Sequence, residues 1–331
     1  MTDSRIDNRI RSGVSAPSGA AFRASTAGRS AGDRSAHPGE SIATDIAGSS
    51  DQSLVERINH DIPNLTKAGR CIAEHLIAKP TAFVHSSVQD IAKATKASEA
   101  TVVRFCRRYG FSGIPDFRIA LAQALAEPDF VSGRVIVEPK VSDKSLVNRR
   151  QKSAIARYAA RFVENDRAVI LDSGSTTELF AHELRSASGL VVMTTGLNVI
   201  NSLALAPQHT LMVPGGTVRL QSMSITGRMV ESALATMNFD TAYLGADAID
   251  PDRGLSTFRE EEAHLNTAMA KASRRVVVLA DSSKFRAPAL HRFLDIESVH
   301  VIVTDSDLDD AVARRIEACG VTIHRVKIDE V

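Results

Sequence analysis

Seven short apolar runs in the second half of the chain, AVILD, LVVMTT, TLMVPGG, TAYLGAD, RVVVLAD, VHVIVTD and VTIHRV, set the tightest limit on its fold. Each is rich in β-branched residues, most end in Asp, Thr or Gly, and amphipathic segments separate them. β-Branched side chains favour extended backbone, and a strand that is apolar without alternation must be covered on both faces. Buried parallel strands with helices between them have this pattern. Residues 145–328 are therefore expected to form an α/β, doubly wound, Rossmann-like domain, opened by one helix over SLVNRRQKSAIARYAARFV. Ligands of such sheets bind at the carboxyl ends of the strands, where this chain concentrates its polar residues.

A length of 331 residues accommodates two domains, and 44% hydrophobic with 24% charged residues matches a soluble globular chain. No apolar run approaches the ~20 residues that cross a bilayer, so no membrane partner is expected. The stretch MTDSRIDNRIRSG lacks the basic-then-apolar layout of a secretory signal, which predicts a cytoplasmic protein. Residues 1–50, rich in Ser, Ala, Gly and Arg without apolar periodicity, are expected to be a disordered tail. Residues 51–127 carry apolar positions at spacings of three and four and predict a small all-α domain. Residues 128–144 read as a linker with one short strand over 134–137. Cys71, Cys106 and Cys319 lie far apart without metal-ligand spacing and are expected to be reduced core thiols.

The formal net charge of +1 says little, but its distribution is uneven: residues 66–127 hold nine Lys or Arg against five Asp or Glu. Within them SSVQDIAKATKASEATVVRFCRRYG has the parts of a helix-turn-helix. A first helix runs from Val88 to Ala94, a tight connection from Thr95 to Ala97, and Ser98 is placed to cap a second helix. Val102, Phe105, Cys106 and Tyr109 fall at i, i+3, i+4 and i+7 and predict its buried stripe. The opposite face carries Ala100, Arg104 and Arg107, flanked by Thr101 and Arg108. Small and basic residues at the start of an exposed helix suit reading of base edges in the major groove, whereas arginines on a lone helix would be a solvated face. The stretch SVQDIAKATKASEATVVRFCRRYGFSGIPDFRIALAQAL resembles the N-terminal domain of the RpiR family of phosphosugar-responsive regulators. The resemblance implies a DNA-binding domain acting as a dimer.

In the second half, LDSGSTTELF places Asp172, Ser173, Gly174, Ser175, Thr176 and Thr177 in a small-residue loop opening onto a helix. Backbone N–H groups at a helix start, with several hydroxyls, form an anion site for which phosphate is the usual guest. Other strand ends repeat the pattern: Thr194, Thr195, Gly196 and Asn198; Gly215 and Gly216; Gly245 and Asp247; Asp281 and Lys284. Asp247 could take sugar hydroxyls and Lys284 could offset phosphate charge. DSGSTT, TTGLNVINSL, PGGTVR, YLGADAID, the Glu262-Ala263 pair, LADSSKF and VTD, in this order, resemble the C-terminal sensor domain of the DeoR family of sugar-metabolism regulators. The resemblance implies a fold related to ribose-5-phosphate isomerase and a phosphorylated sugar or related metabolite as effector. It also implies contacts from Asp172, Gly174, Ser175, Thr176, Gly216, Asp247, Glu262 and Lys284. Ala248 departs from the family, which usually has Gly there. The pairing of these two domain types is unusual, yet both parent families couple phosphosugar binding to DNA binding.

The reading that follows is a repressor of carbohydrate metabolism, released from operator DNA by its effector and acting as a dimer or tetramer. The alternative is a phosphosugar isomerase, with Glu262 or Asp247 as base and Lys284 on the phosphate. A helix-turn-helix would serve no purpose on such an enzyme. The chain contains no GxxxxGK[ST] sequence, no glycine triplet in DSGSTT, and no CxxC or clustered His, so neither cofactor nor metal is expected.

Overall fold

The computed structural model describes residues 53–126, 137–187 and 189–328. The expected tail over 1–50 and, apart from Val137, the expected strand over 134–137 lie outside the described residues.

Six helices form the first unit of the fold: α1 (Leu54–Asp61), α2 (Lys67–Ala78), α3 (Pro80–His85), α4 (Val88–Thr95), α5 (Glu99–Arg108) and α6 (Ile114–Ala126). Their starts follow from side-chain caps. Ser53 and Ser87 each close a capping box, with Glu56 and Asp90, while Thr66 and Ser98 accept from the N–H of Gly69 and Thr101. The connection between α4 and α5 begins one residue later than the sequence suggests. Thr95 remains helical, buried with its hydroxyl on the Ile91 carbonyl at 2.7 Å, and Lys96 turns the chain in the left-handed region at φ 51°. Val102, Phe105, Cys106 and Tyr109 are all buried, as the helical spacing requires, and join Ile58, Ile72, Leu76, Phe83, Ile91 and Phe117 in one core. Burial pushes the Cys106 thiol up to about 12, consistent with an inert core thiol.

The segment between this bundle and the sheet departs from the expected single helix. Helix α7 (Val141–Leu146) ends at Leu146, Asn148 adopts the left-handed conformation at φ 53°, and α8 (Arg149–Ala159) starts afresh. Asn tolerates that region better than most residues. Its amide is used here, donating to Asp281 Oδ1 at 2.9 Å and to Ser283 Oγ at 3.2 Å.

The elements that follow are β1 (Ala168–Leu171), α9 (Ser175–Glu183), β2 (Val191–Thr194), α10 (Leu197–Leu203), β3 (Thr210–Met212), β4 (Thr217–Arg219), β5 (Ser224–Thr226) and α11 (Arg228–Leu234). Then come β6 (Phe239–Leu244), β7 (Ala248–Asp250), β8 (Gly254–Thr257), α12 (Glu260–Lys271), β9 (Ser273–Leu279), β10 (His291–Leu294), β11 (Val301–Asp305), α13 (Asp310–Glu317) and β12 (Thr322–Val326). All seven apolar runs form one parallel sheet, in the order β12-β11-β9-β6-β1-β2-β3. The α/β fold read from the sequence is thus the fold of the molecule. The chain enters at β1 and builds outward to β3. It then returns to β6 on the other flank of β1 and builds out to β12. The direction reverses between β1 and β6, and a crevice opens where neighbouring connections diverge.

Two small antiparallel sheets, β4-β5 and β10-β8-β7, were not legible as strands, being only three or four residues each. The first is held by a close approach. A Cβ on Gly216 would lie 2.7 Å from the Thr226 carbonyl oxygen and 2.8 Å from Ile225 Cγ2. Gly216→Ala should therefore cost about 1–3 kcal/mol by overpacking, read as a lower urea midpoint at unchanged slope. A midpoint equal to that of the parent would show that the hairpin yields freely.

Candidate functional site

Two surfaces bring the sequence-derived residues together. On the first, Ser98, Ala100, Arg104 and Arg107 are exposed along α5, with Thr101 half-buried. Ser98 Oγ and Thr101 Oγ1 lie 2.8 Å apart, and Arg104 donates to Thr101 Oγ1 at 3.1 Å, which lays its guanidinium over the first turn of the helix. Arg108 is different. It donates twice to Asp61, at 2.9 and 3.2 Å, and the Tyr109 hydroxyl joins the same carboxylate at 3.1 Å. It fastens α5 to the end of α1, a role the spacing alone could not show.

The second surface is an open cleft in the crevice at the β1/β6 reversal. Asp172, Ser173 and Gly174 line it from the loop between β1 and α9, Ser175 and Thr176 from the first turn of α9, Asp247 from the loop after β6, Glu262 from α12 and Lys284 from the turn after β9. Asp172 is committed to the loops themselves. Its two oxygens accept from the N–H of Gly174 at 2.9 Å and of Gly245 at 2.6 Å, tying the ends of β1 and β6 together, and burial raises its carboxyl above the usual range. Thr177 is buried and does not line the cleft. Nor does Gly216, whose place is the hairpin contact described above, nor Ala248, buried in the small sheet.

The first N–H groups of α9 have no carbonyl partner within the helix and carry the positive end of its dipole. Two lysines add to it. Burial pushes the Lys284 ammonium down to about 8, only partly countered by Asp281 and Asp247, and among the described residues it makes no ion pair within 4.0 Å. Lys144, from α7, lines the same cleft and lies 2.6 Å from Asp247. Burial opposes its charge, but Asp247, Glu262 and Glu138 outweigh burial and hold its ammonium above the ordinary value. Asp247 is likewise buried, yet Lys144 and Lys284 keep it well below the usual carboxylate range. Thr257 Oγ1 stands 2.9 Å from Asp247 and 3.1 Å from Glu262, and Glu262 accepts from Arg219 at 2.8 Å. Arg219 also bonds Glu138, whose carboxyl is raised to about 7 by burial and by the neighbouring Glu262.

The cleft thus brings cationic and acidic groups together. N–H groups and ammonium suit a phosphate, while an ionised carboxylate accepts hydroxyl protons. Lys144, Thr257, Ser222 and Asn266 also line it, and nothing in the linear pattern pointed to them: each arrives from an element distant in sequence. Among the described residues there is no cluster of His, Cys, Asp and Glu that could hold a metal ion, and no helix long and apolar enough to cross a membrane.

Residues 52–128 match the helix-turn-helix domain of the rpiR family and residues 147–306 match the DeoR C terminal sensor domain. The putative aga operon transcriptional repressor of Escherichia coli O157:H7 is 38% identical over 187 residues, 56% of this chain and 70% of that one. The HTH-type transcriptional regulator GlpR of Haloferax volcanii is 30% identical over 242 residues, 72% of this chain and 90% of that one. Ribose 5-phosphate isomerase A from Methanocaldococcus jannaschii aligns at 19% identity over 42% of this chain and 55% of its own, with a TM-score of 0.32.

Proposed function

Because the chain belongs to the helix-turn-helix transcription regulators with a DeoR-type sensor domain, here behind an rpiR-type DNA-binding domain, we propose that it represses genes of carbohydrate metabolism and is released from operator DNA by a phosphorylated sugar or polyol. It is a DNA-binding regulator and not an isomerase: the curated relatives it matches are transcription regulators. The observation that carries the effector class is the presence in one cleft of the α9 start and Lys284, which suit an anion, together with the ionised Asp247, which suits hydroxyls. Phosphate meets the N–H groups and the ammonium, and hydroxyls meet the carboxylate. Ser173, Ser175 and Thr176 offer hydroxyl and N–H donors between them, and Gly174 leaves room for the backbone to approach. Glu262, held by Arg219, also lines the cleft.

On the DNA side, α5 enters the major groove with Ser98, Ala100, Thr101, Arg104 and Arg107 towards the bases or adjacent phosphates. A homodimer would place two such helices on half-sites about 34–36 Å apart, and the protein acts in the cytoplasm, where its DNA is. Residues 51–127 and 145–328 serve as the reading and sensing domains, with 128–144 between them.

A thermal-shift panel of sugar and polyol phosphates against the full chain tests the effector class. A true effector at about 100 times its Kd adds roughly 2.7 kcal/mol to stability, and the unphosphorylated sugar adds far less. Equal shifts from both forms would remove phosphate from the reading. The pH dependence follows from Lys284. Its ammonium is charged below about 8 in the free protein, so affinity holds there and falls up to about tenfold per pH unit above it. On the acid side affinity falls below about 6, where a phosphate monoester takes up its second proton. Lys284→Ala should flatten the alkaline limb; an unchanged limb would exclude this lysine from the phosphate site.

A further inference from the structure

Residues Asp143 and Lys144 are consecutive on α7, about 100° apart around the helix, and each makes a buried ion pair in a different direction. Asp143 accepts from Arg118 of α6 at 3.2 and 3.3 Å, with the two side chains 8% and 9% exposed. Arg118 also bonds the Ser86 carbonyl at the end of α3, and Lys140 donates to the His85 carbonyl at 2.9 Å. Lys144 turns the other way, into the cleft, to Asp247. The far end of α7 is fixed by Lys152, a buried ammonium that donates to the carbonyls of Lys144 at 2.8 Å and of Val147 and faces Asp281 at 3.6 Å. Helix α7 lies between the two matched domains, inside neither.

We propose that α7 is a two-sided latch: Lys144 is a member of the effector site supplied from outside the sensor domain, and its release from Asp247 by an anionic polyol alters the Asp143–Arg118 contact with the helix-turn-helix domain. This rests on the effector reading above and supplies its transmission. An effector hydroxyl on Asp247 and an effector phosphate on Lys144 compete with the 2.6 Å Lys144–Asp247 pair for the same carboxylate and ammonium. The competition weakens the pair. A one-and-a-half-turn helix has no length over which to absorb that shift, and the adjacent residue is bonded to α6. An effector that competes for this pair binds the unlatched state more tightly, the differential affinity that linkage requires; couplings of this kind span about 5- to 150-fold.

Hydrogen exchange on the full chain tests the latch. Asp247→Asn should speed exchange of the α7 amides, residues 141–147, by about tenfold or more, with a lesser rise at residues 85–86 and 114–121. Lys144→Met should do the same, and the double variant should be no worse than either single change, since the two act as one pair. If Asp247→Asn melts prematurely, Lys144→Met decides. Exchange of α7 unchanged in a folded variant overturns the latch. Glycerol 3-phosphate and inorganic phosphate are the probes in a second arm. Protection at residues 173–177 with faster exchange at 141–147 is the expected result. Protection at 173–177 with α7 unmoved overturns the latch and leaves the effector reading intact. If 173–177 is unprotected while Asp247→Asn still frees α7, the phosphate reading fails and the tie between α7 and the cleft stands. With Asp143→Asn, the probes should still loosen α7 while residues 85–86 and 114–121 cease to respond; a response that persists there overturns the transmission step.

Discussion

Replacing Arg104 and Arg107 together by Ala weakens operator binding by about 2–6 kcal/mol, at least about 25-fold in Kd, if each guanidinium makes one base or phosphate contact worth about 1–3 kcal/mol. Both side chains are exposed on α5, and neither makes an ion pair among the described residues, so the fold has little stake in them. Fluorescence anisotropy on fragments selected from a random pool, repeated over a salt series, gives the readout. Loss of a base contact relaxes sequence preference, whereas loss of a phosphate contact flattens the salt dependence by about one counterion. Arg108→Ala serves as the comparison. Its pair with Asp61 is half-exposed and worth no more than about 1 kcal/mol, so the change should appear as a small drop in Tm with base preference intact. Unaltered affinity in the double variant would mean that α5 does not face the DNA.

Arg118→Ala destabilises the chain by about 3–5 kcal/mol, the cost of leaving a buried charge without its partner. Asp143 then lies buried without a counterion, and the Ser86 carbonyl loses its donor. Removing both charges with Arg118→Met and Asp143→Leu restores most of that loss, because apolar side chains of similar volume avoid the desolvation penalty. Chemical denaturation of the two variants distinguishes a pair that matters through its charges from one that merely fills space. If Arg118→Ala costs less than about 1 kcal/mol, water reaches the site and the pair is not buried in solution.

The seven parallel strands were legible because each is a short β-branched run with a polar end, and a strand covered on both faces needs nothing else. The start of α9 and the stripe Val102, Phe105, Cys106 and Tyr109 were legible for a similar reason: a small-residue turn after an apolar run and helical periodicity are local signals. What escaped was set by distant partners. Arg108 sits on the flank of the basic face by spacing, yet Asp61, 47 residues earlier, takes it. Asn148 divides a run that reads as continuous helix, because Asp281 and Ser283, more than 130 residues later, hold its amide. Lys144 lies in a stretch with the composition of a connector, and only the folded chain brings it to Asp247. The outline of the cleft could be drawn from strand ends; its cationic completion could not.

The buried Arg118–Asp143 pair also bears on how freely such regulators exchange parts. Two domains of different ancestry look interchangeable as modules when only their sequences are aligned, and a chimera would be cut between them. Here the reading domain carries one half of a charge pair whose other half, Asp143, lies in the segment that joins it to the sensing domain. A foreign reading domain without a basic side chain at the position of Arg118 would inherit an orphaned carboxylate at its junction. Grafts that travel with α6 and α7 as one piece should fold; those joined at residue 128 should require Asp143 to be changed at the same time.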